Sequence, residues 1–150
     1  MVKEEAEKKA FDYFQSGFHC AEAVSKTITE LFAKESSSDI PKVASGFGGG
    51  IGRTHEDVCG ALTGGVIALG YLFGRIKPGE SFQDAWELSS EFRKRFIKKF
   101  GSANCQTILK GFGEQENNIK CKKLAANAAG MLSEIIIERE KEIKQGEEVC

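Results

Sequence analysis

No CxxC occurs in this chain of 150 residues. Its absence excludes the thioredoxin-type motif and the paired spacing of zinc knuckles. An excess of one charge is lacking too. A formal net charge of -1 leaves no basic footprint for nucleic acid and no strong electrostatic pull toward a membrane. Long hydrophobic runs are also missing. The most apolar stretch, Cys59 to Phe73, is broken by four glycines and falls short of the about 20 apolar residues a spanning helix needs. It reads as a buried core helix, and no membrane insertion is expected. The opening MVKEEAEKKA is charged, has no apolar stretch behind it, and is not a secretory signal. The expected location is therefore cytoplasmic. HExxH, GxSxG and GxxxxGK[ST] are absent. No hydrolase pair stands out among the carboxylates, which crowd exposed helical faces such as 134–142. No internal repeat and no alternating β pattern is found.

What is present is ordinary for a globular protein: 41% apolar and 29% charged residues, in a length that fits one domain over 1–150. Glycine and proline divide it into helices. The first covers 3–15 and stops at Ser16-Gly17. A second begins near Cys20, with Val24, Ile28 and Leu31 at three- and four-residue spacing on one face. Asp39 caps a short helix that admits Pro41 in its first turn. A central helix spans roughly 57–73. Ser81 caps a long helix carrying Leu88, Phe92, Phe96 and Phe100, stopped by Gly101. Ser102 caps a short one with Cys105 and Ile108. A last long helix runs from Ile119 to about Lys144, leaving 145–150 as a frayed tail. The expected fold is all-α, a compact bundle of five or six helices with a glycine-rich loop before the central helix.

That loop, Gly46-Phe47-Gly48-Gly49-Gly50-Ile51-Gly52, permits positive φ and close backbone approach. GxGxxG fits no register in it, so it is not a nucleotide fingerprint. Its amides at Gly48, Gly49 and Gly50 could hold an anion or a thiolate sulfur. In the helix that follows, Gly60, Gly64 and Ala68 form a small-residue stripe. Another backbone or a cofactor could come close there, and Gly60 and Gly64 join the candidate cofactor-binding positions.

Five cysteines are more than packing requires in a chain this size. Cys20, Cys59, Cys105 and Cys121 each fall at or just after an expected helix start. There the unpaired amides and partial positive charge lower a thiol pKa. Cys59 is the leading candidate. Asp57 as N-cap places it in the first turn; Thr54 as N-cap places it in the second and activates it less. His19 adjoins Cys20 and His55 lies four residues before Cys59; either could tune or ligate, but a solvated surface position is the preferred reading of both, and Arg53 is either a support for a Cys59 thiolate or a solvated loop cation. Cys150 ends the sequence and lies outside the set.

Cys59-Gly60-Ala61-Leu62-Thr63-Gly64 is a full CGAxxG, with Cys20 upstream and Cys105 and Cys121 downstream. With the SGFGGGIGR loop and the FGSxNC segment ending at Cys105, the chain resembles, over roughly residues 10–137, the redox-active family named for the pattern C_GCAxxG_C_C. The resemblance implies a small helical protein with four shared cysteines, a redox role and no established substrate. Three functions remain open. Cys59 could be a reactive thiolate resolved by a second family cysteine in thiol–disulfide chemistry with an unknown redox partner. Alternatively, Cys20, Cys59, Cys105 and Cys121 could ligate a metal or an iron–sulfur centre. Or the cysteines could be inert in a helical interaction module. The cofactor is unknown on this reading: none, or a metal or iron–sulfur centre. A homo-oligomer is compatible with the sequence.

Overall fold

The computed structural model describes the backbone of residues 1–149 and the side chains through residue 147. Seven α-helices follow one another: α1 (Val2–Gln15), α2 (Cys20–Phe32), α3 (Asp39–Ala44), α4 (Gly60–Phe73), α5 (Gln83–Phe100), α6 (Cys105–Phe112) and α7 (Ile119–Val149), with a 3-10 turn at Ser45–Phe47. The fold is all-α, and no strand occurs among the described residues. The helix count exceeds the expected five or six because the short segments α3 and α6 are both complete α-helices. Residues 145–149, expected as a frayed tail, continue α7 instead. Gln145, Glu147 and Glu148 are good helix formers and carry the helix past Gly146. Cys150 lies outside the described residues. Among those residues, no helix is long and apolar enough to cross a membrane.

The bundle is organised by small residues. α1 presents Ala6, Ala10 and Phe14, one turn apart, and packs along α7. α2 lies centrally, in contact with α1, α3, α4 and α7, and buries Val24 and Ile28 completely. Its closest approach is to α4. A Cβ at Gly64 would overlap the backbone of Ala21, and one at Gly65 would overlap the Phe92 ring of α5. The small-residue stripe thus admits another helix backbone and an aromatic ring. On α5, Phe92 and Phe96 are fully buried and stack edge to face with Phe100 in series. Arg139 of α7 pairs with Asp84 and Glu87 of α5, and Arg95 of α5 with Glu138 of α7, tying the outer edges together. These pairs are partly solvated and add little stability individually.

Among the described residues one buried hydroxyl is left over. Ser25 and Thr29 of α2 donate to carbonyls within their own helix, whereas the fully buried Thr27 Oγ1 has no partner. An unpartnered buried hydroxyl costs about 1–3 kcal/mol. Replacing Thr27 with valine should therefore stabilise the protein by about 1 kcal/mol, read as a higher urea midpoint at unchanged slope. A lowered midpoint would mean that the hydroxyl is hydrogen-bonded in solution.

Candidate functional site: a cavity lined by four thiols

Two irregular segments build the site. The first is the loop between the 3-10 turn and α4. Gly49, Gly50, Ile51, Gly52 and Arg53 are consecutive residues with φ of 64, 67, 66, 61 and 59°, and His55 follows at 63°. A left-handed backbone costs a residue with a Cβ roughly 1–2 kcal/mol. The glycines carry half of the excursion without that cost; Ile51, Arg53 and His55 do not. The loop is closed by its own hydrogen bonds: Arg53 N–H donates to Gly48 O at 3.1 Å and His55 N–H to Gly49 O at 2.9 Å.

The second segment is 102–104, ahead of α6. It lies antiparallel to the end of the first through a single bridge, Val58 with Asn104. Cys59 N–H donates to Ala103 O (2.7 Å), Cys105 N–H donates to Asp57 O (2.8 Å), and Asn104 Nδ2 donates to Glu56 O (2.8 Å). This stitch holds Cys59 beside Cys105. It also delays the central helix. Because residues 57–59 are extended for pairing, α4 starts at Gly60, and Cys59 is itself the N-cap. Neither Asp57 nor Thr54 caps it, contrary to expectation. For the same reason Asn104 replaces Ser102 as the N-cap of α6, its Oδ1 accepting from Thr107 N–H at 3.0 Å while Ser102 Oγ accepts from Asn104 N–H.

All four family cysteines reach one cavity of about 240 Å³, lined also by Phe14, His19, Gly49, Arg53, His55, Gly60 and Asn118 among others. Each arrives at a helix amino-terminus: Cys20 is the first residue of α2, Cys59 caps α4, Cys105 opens α6, and Cys121 is in the first turn of α7. The four thiols are free. The space above Gly60 is filled by the Cys20 sulfur, which a Cβ there would strike. A Cβ at Gly50 would come within 2.7 Å of the Cys105 Cβ, and one at Gly48 within 3.4 Å of the His19 Cβ. Of the five glycines expected to bind a cofactor, Gly49 and Gly60 line the cavity. Gly48 and Gly50 act as packing surfaces for His19 and Cys105, and Gly64 is covered by α2.

Helix-start placement does not make these thiols acidic. Burial, with a smaller contribution from negative charge on Cys20 and Cys105, pushes Cys59 up to about 12; the amides of Ala61 and Leu62 pull the other way and are outweighed. Burial likewise raises Cys105 to about 11, reinforced by charge on Cys20 or Cys121. Cys20 is raised by burial against the opposing amides of Gly49 and Ala21, and Cys121 by burial against a hydrogen bond from Gln115. Desolvation of the anion exceeds the attraction of the helix ends here.

Gln115 carried no motif in the sequence. Its Oε1 accepts from the Lys120 and Cys121 amides and its Nε2 donates to Cys121 Sγ at 3.2 Å. A side chain in a polar loop just ahead of a helix is the only signal that pointed to it. His19, Arg53 and His55, weighed as solvated residues, all line the cavity. His19 additionally caps α2 in a capping box with Glu22. No group of three or more His, Cys, Asp and Glu among the described residues stands in a metal-ligating arrangement.

Fold and site define an all-α protein that gathers four free thiols around one cavity. Over residues 18–135 the sequence matches the model of the family described as "Putative redox-active protein (C_GCAxxG_C_C)", and the chain belongs to that family. Its central motif reads Cys59-Gly60-Ala61-Leu62-Thr63-Gly64. No curated protein and no solved structure matches it significantly.

Proposed function

We propose that the protein is a dithiol–disulfide redox protein in which Cys20 and Cys59 form the redox couple. The observation that carries this reading is the position of the Cys20 sulfur, pressed against Gly60 at the start of the helix that Cys59 caps. Cys20 is half-buried and Cys59 is buried. An external disulfide reaches the half-buried Cys20 sulfur before the buried Cys59, so Cys20 makes the first attack and Cys59 resolves. The Cys20 thiolate displaces one sulfur of an external disulfide and forms a mixed disulfide, releasing one thiolate. Cys59 loses its proton and attacks the Cys20 sulfur, releasing the second thiolate. The protein gives up two electrons and two protons, and the external disulfide becomes two thiols. Cys105 and Cys121 lie within charge range of the pair and can receive the bridge by exchange.

The same four sulfurs are a suitable donor set for a tetrahedral metal or an iron–sulfur centre, and this is the second reading that their shared cavity favours. Such a centre would require the sulfurs to move into a ligating arrangement. One experiment separates the readings. Protein purified without oxygen is analysed for metal, then treated with one equivalent of a small disulfide and mapped by mass spectrometry. A metal-free protein that acquires a Cys20–Cys59 bridge, and fails to do so as Cys20→Ser, supports the proposal. Stoichiometric zinc or iron, or four thiols that stay unreacted, overturns it in favour of a metal centre or of inert packing cysteines respectively.

A further inference from the structure

The cavity has a charge preference that the thiols themselves do not explain. The whole chain holds 22 acidic and 21 basic residues, yet among the described residues no carboxylate lines this cavity. The chargeable side chains on its wall, apart from the thiols, are Arg53, His55 and His19. Arg53 and His55 are exposed and come from the left-handed run, at φ 59 and 63°. Residues with a Cβ persist in that conformation only where surrounding structure determines it, and the hydrogen bonds from their own amides to Gly48 and Gly49 do so. From the other side, Asn118, also left-handed at φ 56°, adds a neutral amide. Beneath this rim the amino-termini of α2, α4, α6 and α7 converge, each carrying partial positive charge.

We infer that the cavity selects an acidic co-substrate: a small disulfide bearing carboxylates, one arm of which is received by Arg53 and His55 while its sulfur meets Cys20. This deepens the thiol-exchange reading and rests on it. A guanidinium matches a carboxylate with two parallel hydrogen bonds, and clefts of one charge with low-dielectric walls raise the encounter rate of the opposite charge. The volume of about 240 Å³ admits an arm of amino-acid size rather than a folded protein. The electron balance is that of the exchange above. The acidic disulfide takes two electrons and leaves as two acidic thiols, the first displaced as the mixed disulfide with Cys20 forms and the second as Cys59 closes the bridge.

The test uses the full reduced chain and three symmetrical disulfides of similar size: dithiodipropionate (anionic), bis(2-hydroxyethyl) disulfide (neutral) and cystamine (cationic). The readout is the rate of Cys20–Cys59 bridge formation, each probe's rate being divided by its rate with 2-mercaptoethanol because the leaving thiol's own pKa sets the intrinsic reactivity. At low salt the anionic probe should outpace the cationic one by about tenfold or more, with the neutral probe between them. The ratio should contract as salt is added. Arg53→Gln should narrow the anionic-to-cationic ratio by about threefold, as expected for removing one exposed charge contact. His55→Gln should narrow it less. Equal wild-type rates for the three probes overturn the inference, as does a ratio that Arg53→Gln leaves intact while all three rates fall together. No bridge with any probe removes the exchange reading itself, a failure distinct from loss of charge selectivity.

Discussion

Gly64→Ala should be among the most damaging single substitutions in this protein, although it adds one methyl group to a helix. That methyl would meet the backbone carbonyl, Cα and C of Ala21 at or below 2.9 Å. Backbone cannot swing aside as the end of a side chain can, so α2 must separate from α4. Overpacking of this kind costs about 1–3 kcal/mol, occasionally more. Replacing a helical glycine returns only about 0.5–1 kcal/mol. A net loss of about 2 kcal/mol lowers the melting temperature by roughly 4–8 °C for a chain of this length. Separation of α2 also draws Cys20 away from Cys59, so bridge formation should slow as well. Gly70→Ala is the matched control. It lies in the same helix, and its added Cβ meets nothing within 4 Å; it should stabilise by about 0.4–1 kcal/mol. Thermal melts of the two variants in reducing buffer give the answer. Equal shifts of the same sign would mean that the α2–α4 contact is looser than described.

The second large effect is on pH. In the folded protein Cys59 and Cys105 titrate at about 12 and about 11, above their ordinary value of 9.0. The folded state therefore holds its thiol protons more tightly than the unfolded state. The stability this contributes is fully present below pH 9 and is lost as the pH rises through 11 and 12. Burial of the neutral thiol is the cause. Urea unfolding of the reduced protein should show stability falling steeply from pH 9 upward. In Cys59→Ala the fall should be shallower, by on the order of 2 kcal/mol at pH 11. Tyr13, raised to about 12 by burial and its bond to Glu30, contributes the same sign to both proteins and cancels in the comparison. Parallel curves would show that Cys59 is solvated.

Most of the helices were legible because each has a marked stop and a marked face. Gly17 and Gly101 adopt positive φ where the chain leaves or passes a helix end, and Leu88, Phe92 and Phe96 are buried at helical spacing as expected. The starts were less legible. A capping residue can be recognised from its type, but the choice among Thr54, Asp57 and Cys59 depends on a partner strand segment more than forty residues away. Asn104 won over Ser102 for the same reason, since the stitch with residues 56–59 decides where α6 begins. The glycine stripe was visible, but its occupant was not, because Ala21 and Phe92 come from other helices.

By itself, the sequence determined an all-α chain, four cysteines at helix beginnings, and a loop so rich in glycine that it must turn in an unusual way. Those are properties of neighbouring residues: spacing, side-chain size and backbone freedom. Tertiary structure alone decided that the four thiols share one cavity, and that every one of the four is harder to ionise than normal. The sign of that shift is set by how much water is left around each sulfur. That quantity depends on how α2, α4, α6 and α7 pack, and no local pattern encodes it.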